Sequence, residues 1–281
     1  MSGSPVTIEL SAILRLLDDD TPQVREQIAQ RLEETTGDLS EALAELGWAG
    51  TEQERRLLSR LLVPARRETL RREWIVPSGG LGGLGDDWDL LEHLLRLISD
   101  FLHDGVTMRQ ALPDALDLLA EEAEEQLSAD TEEALRGFLF DGGRFRGNRE
   151  SYYDPRNSDL AGTLSTGTSN PIGLCLVYLF TARRLGLDVS GVSFPGHFLC
   201  RIHDDGEPVI VDCFDDGKRH HLATLLAAHP ELGREQRAAL SHASSPGAIL
   251  NRVLLNLASS FAGLKQEEDA GLIAELRSTL A

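Results

Sequence analysis

Apolar residues recur at three- and four-residue spacing over most of the chain, a period that predicts amphipathic helices. Ile13, Leu14, Leu16 and Leu17, then Asp18-Asp19-Asp20 and Val24, predict two short helices joined at an acidic turn. Thr21 is placed as the N-cap of the second, with Pro22 at its first helical position. Helical periodicity continues through Leu39–Leu46 and Glu52–Arg72. Residues 77–85 break it, because five glycines and one proline in nine residues predict a flexible connector. Trp88–Leu102 is the next amphipathic helix, with Leu90, Leu91, Leu94, Leu95 and Ile98 on one face, and Ala115–Leu127 and Thr131–Phe140 follow.

At Gly142 the pattern changes. Residues 144–157 form a long polar and aromatic loop, in which Asp154, Pro155, Arg156 and Asn157 are expected to cap a short helix around Ser158–Leu164. The alternative reading turns Arg156 or Asn157 toward a cleft. A helix is predicted over Pro171–Leu185, capped by Asn170 and stopped by Gly186. Three strand-like runs come next, Asp188–Phe194, His197–His203 and Pro208–Phe214, and Asp205-Gly206 between the last two is a hairpin signal. From His221 the chain reads as helix again, notably at Ala248–Leu264 and Asp269–Leu280. The expected fold is α+β and mostly helical, a small antiparallel sheet packed on the Pro171–Leu185 helix with helices at both ends. The expected division is a helical region over 1–76, a glycine-rich linker over 77–86 and a second domain over 87–281. The first helix pair resembles one pair of a HEAT-type repeat, but no second copy recurs at a fixed period.

Strand parity adds candidate chemistry. With Asp205-Gly206 as a two-residue turn, paired positions sum to 411, so Asp212 becomes the diagonal neighbour of His197 on one sheet face; with Asp204-Asp205 as the turn the sum is 409 and the two are directly opposed. Cys200 and Cys213 then fall on the opposite face. Cys175 lies near the start of a helix, so Cys175, His197 and Asp212 follow the helix–strand–strand order of a papain-like thiol site. In such a site a thiolate attacks, a histidine shuttles the proton and a carboxylate orients the imidazole. The competing reading makes Cys175, between Leu174 and Leu176, a buried and inert core residue.

Charge narrows the partners. The formal net charge of −19 would repel a polyanion, so no nucleic-acid partner is expected. Residues 1–150 hold 31 acids and 16 bases, whereas residues 151–281 hold 15 and 11, so most of the charge sits outside the candidate cleft. Met1–Leu10 shows no basic and apolar leader pattern, and the apolar stretch Pro171–Phe180 is too short to cross a bilayer. Three cysteines, an odd number, argue against a disulfide framework, and a cytoplasmic protein without a membrane partner is expected. A zinc set of Cys175, His197, Cys200 and Cys213 lacks paired Cys-x-x-Cys spacing and is split by strand parity, so neither metal nor cofactor is expected.

Residues 146–158, Ala182–Leu187, Gly196–Leu199 and Ile210–Asp212 resemble the bacterial SirB-type transglutaminase-like proteins, over roughly Leu90 to Phe261. The resemblance implies a transglutaminase/papain-like core wrapped in helices. His197 matches the family's strand histidine and Asp212 its strand aspartate. The nucleophile departs from the pattern, because the family's cysteine slot falls near Pro171 and Cys175 lies one turn later. The family's Asp-Pro is here Asp212-Cys213.

Two functions stand at this point. In the first the chain is weakly active or inert and acts through a protein partner. In the second it is a thiol amidase, peptidase or transamidase acting on a peptide or amide, with Cys175, His197 and Asp212 as triad and Asn157, Asn170 or a helix-start amide as oxyanion donor.

Overall fold

The structure is a computed structural model that describes residues 5–127, 129–204 and 206–281, with residues 5–9 described by their backbone alone. The first four residues, part of the leader reading, and Asp205 of the expected hairpin turn lie outside the described residues. The chain forms two compact units, residues 1–75 with 100–109 and residues 76–99 with 110–281.

In the first unit, α1 (Pro5–Arg15), α2 (Pro22–Glu33), α3 (Ser40–Glu45) and α4 (Glu52–Leu61) pack a core of leucine and isoleucine, and α5 (Val63–Glu73) lies against α2 and α4. The single helical run expected over Glu52–Arg72 is interrupted at Leu62, because Pro64 starts a new helix in its first turn. Thr51 and Glu54 cap α4 reciprocally. Residues 100–109 join this unit through Val106 in the core and through Leu39 N–H donating to Gly105 O at 2.8 Å.

The second unit opens with α6 (Gly80–Gly83). The stretch 77–86, expected as a flexible linker, is packed within this unit: Leu81 N–H donates to Leu280 O at 3.0 Å and α6 rests on the helix Pro246–Gly263. Three helices follow, α7 (Trp88–Leu102), α8 (Leu112–Gln126) and α9 (Glu132–Phe140), close to their expected bounds. A two-residue parallel pair, β1 (Arg146–Gly147) with β2 (Thr168–Ser169), brackets the loop, a 3₁₀ turn at Pro155–Ser158 and α10 (Leu160–Thr166). Pairs this short carry no periodicity and leave no pattern in the residues to predict them from.

At the centre lies α11 (Pro171–Arg184), buried from Pro171 through Ala182. Asn170 Oδ1 accepts from Gly173 N at 2.9 Å, and Gly186, with φ +69°, turns the chain out of the helix. Arg184 ties its far end to Glu92 of α7 at 2.8 Å and to Asp117 of α8 at 2.6 Å.

Strands β3 (Ser190–Phe194), β4 (His197–Asp204), β5 (Glu207–Asp212) and β6 (Lys218–His221) form an antiparallel meander in chain order. Cys200 pairs with Val211 and Asp204 with Glu207, the register whose positions sum to 411. The sequence did not point to β6, since Lys-Arg-His-His has no apolar alternation; a charged edge strand of this kind also blocks further strand addition. One face of the sheet receives α11. The other is closed by α12 (Leu222–Ala228) and α13 (Arg234–Ser241), whose Leu222 and Leu240 meet Val192, Leu199 and Ile210. Two long helices, α14 (Pro246–Gly263) and α15 (Glu267–Ser278), complete the unit. The fold is α+β and mostly helical.

Candidate functional site

His197 and Asp212 meet where β4 begins and β5 ends. Gly196, with φ +78°, supplies the left-handed turn that drops His197 opposite Phe194. Extending the register by one pair sets Asp212 across from Leu199 and diagonal to His197, on one sheet face. His197 Nε2 lies 2.9 Å from Asp212 Oδ1. The contact is close without being an aligned hydrogen bond, since Nε2 meets no acceptor in hydrogen-bond geometry among the described residues.

Burial pushes the Asp212 carboxyl upward, but His197 and the amides of Phe214 and Asp215, at 3.0 and 3.1 Å, outweigh it and hold its pKa below the ordinary value.

The pair borders a pocket of about 500 Å³. Phe194, Leu199, Ile210, Leu225, Leu232 and Leu240 supply its apolar walls, and His197, Asp212, His220 and His229 its polar groups. Sequence reading missed His220 and His229. His220 sits opposite Ile210 on β6, and only that strand's register reveals it. His229 follows α12 and is held by Glu231, with Nδ1 2.8 Å from Oε1.

Cys175 lies elsewhere. Alternation along β4 sends Phe198 and Cys200 to the face that α11 covers, and Cys175 Sγ donates to Phe198 O at 3.5 Å. The sulfurs of Cys175, Cys200 and Cys213 lie within 4.8 Å of one another, and all three residues are fully buried. Burial pushes the Cys175 thiol well above its ordinary pKa, and the hydrogen bonds of Cys200 and Cys213 push the same way. The expected triad is therefore divided. The structure brings His197 to Asp212 and Cys175 to Cys200 and Cys213, with the sheet between the two groups. The physical reason is that α11 takes the Cys200 face of β4, while His197 points from the other.

The remaining expected site residues hold the loop. Asn157 is buried; its Nδ2 donates to Ser151 O at 2.8 Å and Tyr152 O at 2.9 Å, and its Oδ1 accepts from Asn148 Nδ2 at 2.9 Å. Arg156 is exposed and pairs with Asp154 at 2.7 Å, and Asn170 caps α11. Asp154 caps only the 3₁₀ turn; Asp159, which the sequence reading left out, caps α10. Gly173 lets the loop approach α11, because a Cβ there would stand 2.1 Å from Ser169 Oγ. The loop also meets the pocket side. Tyr152 stacks edge-on to Phe214 at 5.6 Å, and Phe214 to His197 at 6.4 Å.

A central helix on an antiparallel meander, with histidine and aspartate paired on adjacent strands, is the arrangement that the transglutaminase-like resemblance implies. The sequence profile of the transglutaminase-like superfamily matches residues 110–255, and the chain belongs to that superfamily. Among curated relatives, it is 37% identical over 148 residues to a UPF0162 protein of Xylella fastidiosa strain Temecula1, covering 50% of this chain and 53% of that one. A UPF0162 protein of Vibrio cholerae is 31% identical over 127 residues, covering 44% of this chain and 46% of that one. F-box only protein 21 of Mus musculus is 33% identical over 142 residues, covering 48% of this chain and 22% of that one. The chain thus spans about half the length of the UPF0162 relatives it matches. No solved structure matches it. Among the described residues, no helix is long and apolar enough to cross a membrane.

Proposed function

We propose that this chain is a binding module of transglutaminase-like fold, without thiol catalysis, whose pocket around His197, Asp212, His220 and His229 receives a segment of a protein partner. One observation carries the reading: the His197–Asp212 pair borders a pocket of about 500 Å³, whereas Cys175 is sealed on the other sheet face. That volume falls within the range of about 300–1,000 Å³ typical of ligand pockets. Apolar walls with a few polar groups suit an apolar side chain flanked by peptide amides, for which histidine nitrogens and a carboxylate offer donors and acceptors. The matched segment in F-box only protein 21 is 22% of that chain, which agrees with a module built into larger proteins. A cytoplasmic setting belongs to the same reading and is supported by three free cysteines.

The retained His197–Asp212 pair favours a second reading. Here Cys175 would attack an amide carbonyl, His197 would pass its proton to the leaving amine and Asp212 would orient the ring.

Phage-displayed peptides panned against the full chain, alongside an assay for incorporation of a fluorescent primary amine into a glutamine peptide, separate the two. The binding reading expects enriched peptides that share an apolar anchor and lose affinity at least tenfold for His197→Ala. It expects amine incorporation equal to that of Cys175→Ala. Incorporation that depends on Cys175, or panning that enriches nothing, overturns it.

A further inference from the structure

We infer that Cys175, Cys200 and Cys213 form a site for one thiophilic d¹⁰ cation, of the class of zinc(II), cadmium(II) or copper(I), held by sulfur on the face of the sheet away from the pocket. The three sulfurs come from α11, from the middle of β4 and from the residue after β5, and lie within 4.8 Å of one another. An ion with metal–sulfur bonds of about 2.3 Å, centred among three sulfurs, holds them about 4 Å apart. The arrangement is therefore within an ångström of a trigonal sulfur shell before any ion arrives.

The donor set decides which ion. Among the described residues no carboxylate or imidazole joins the trio, so magnesium and calcium, which need oxygen ligands, are excluded. Soft thiolates select zinc, cadmium and copper(I). The present partners of the sulfurs give way at little cost. Cys175 Sγ reaches the Phe198 carbonyl at 3.5 Å and Cys200 Sγ the Cys175 carbonyl at 3.8 Å, both weak thiol contacts. The support is rigid, because α11 is buried along most of its length and β4 is hydrogen-bonded on both edges.

Binding is a ligand exchange without change of oxidation state. Each metal–sulfur bond replaces one S–H bond and releases one proton to solvent. A divalent ion that displaces two protons leaves the buried centre neutral, with the third sulfur a thiol. Displacement of the third proton leaves one negative charge.

The chain has three cysteines in all, so a thiolate-to-metal charge-transfer band can arise only from this trio. The test refolds the reduced full chain from denaturant, without oxygen, in the presence of cadmium(II) chloride, so that burial sets no kinetic barrier. The ultraviolet band is expected to saturate at one cadmium per chain and the Tm to rise by about 4 °C or more. Magnesium chloride should move neither. Cys200→Ala and Cys213→Ala, each confirmed folded by circular dichroism, should weaken cadmium binding at least tenfold. A wild-type titration without a band saturating at one equivalent overturns the inference. An undiminished band in Cys200→Ala does so too.

Discussion

His197 Nε2 and Asp212 Oδ1 stand 2.9 Å apart on the face of the sheet that Cys175 does not reach. A histidine–aspartate pair is thus kept in the position where a thiol enzyme would use it, while the thiol is packed against other thiols. The pair contributes to stability as well as lining the pocket, and its pH dependence has a definite sign. Asp212 titrates below its ordinary value of 3.8 in the folded chain, so its contribution is present above that value and is lost as pH falls through the folded pKa. Asp212→Asn should cost about 1–2 kcal/mol at pH 7, and the gap from wild type should close as pH drops below about 4. Urea unfolding at neutral and acid pH measures it; a gap of constant size would refute the assignment.

Asn157 pins the loop with two donors and one acceptor. Asn157→Asp keeps the shape but cannot donate to the carbonyls of Ser151 and Tyr152, so it should destabilise by about 1–3 kcal/mol. Limited proteolysis should then cut within residues 148–154 faster than in wild type. An unchanged cleavage rate would show that the loop is held by other contacts.

Ser99 is fully buried on α7, and its Oγ accepts from Leu160 N at 2.9 Å at the start of α10. Ser99→Ala leaves that amide without its partner and should lower unfolding stability by about 1–2 kcal/mol. Chemical denaturation checks this, and a loss below about 0.5 kcal/mol would mean that the amide finds another acceptor.

Much of this architecture is legible in the residues themselves. Asn170, Gly186 and Gly206 mark where α11 ends and where the hairpin turns, and parity alone pairs His197 with Asp212. Parity also assigns Cys200 and Cys213 to the other face, but not which face α11 covers. Phe198, Leu199, Cys200 and Ile202 of β4 are all buried, so no alternation marks one side as the helix side. That ambiguity hid the true neighbours of Cys175. The packed state of residues 77–86 was hidden for a related reason: glycines signal freedom of the backbone, whereas the contact between Leu81 and Leu280 spans the sequence and leaves no local trace. His220 escaped notice because its strand is polar throughout.

The separation of Cys175 from His197 is tested most directly by the rate at which iodoacetamide alkylates Cys175 in the native chain, followed by peptide mapping from about pH 5 to pH 9. The structure predicts slow labelling that rises only toward the alkaline end and is the same in His197→Ala. Fast labelling near pH 6 that disappears in His197→Ala would place a thiolate–imidazolium pair in the protein and contradict the account.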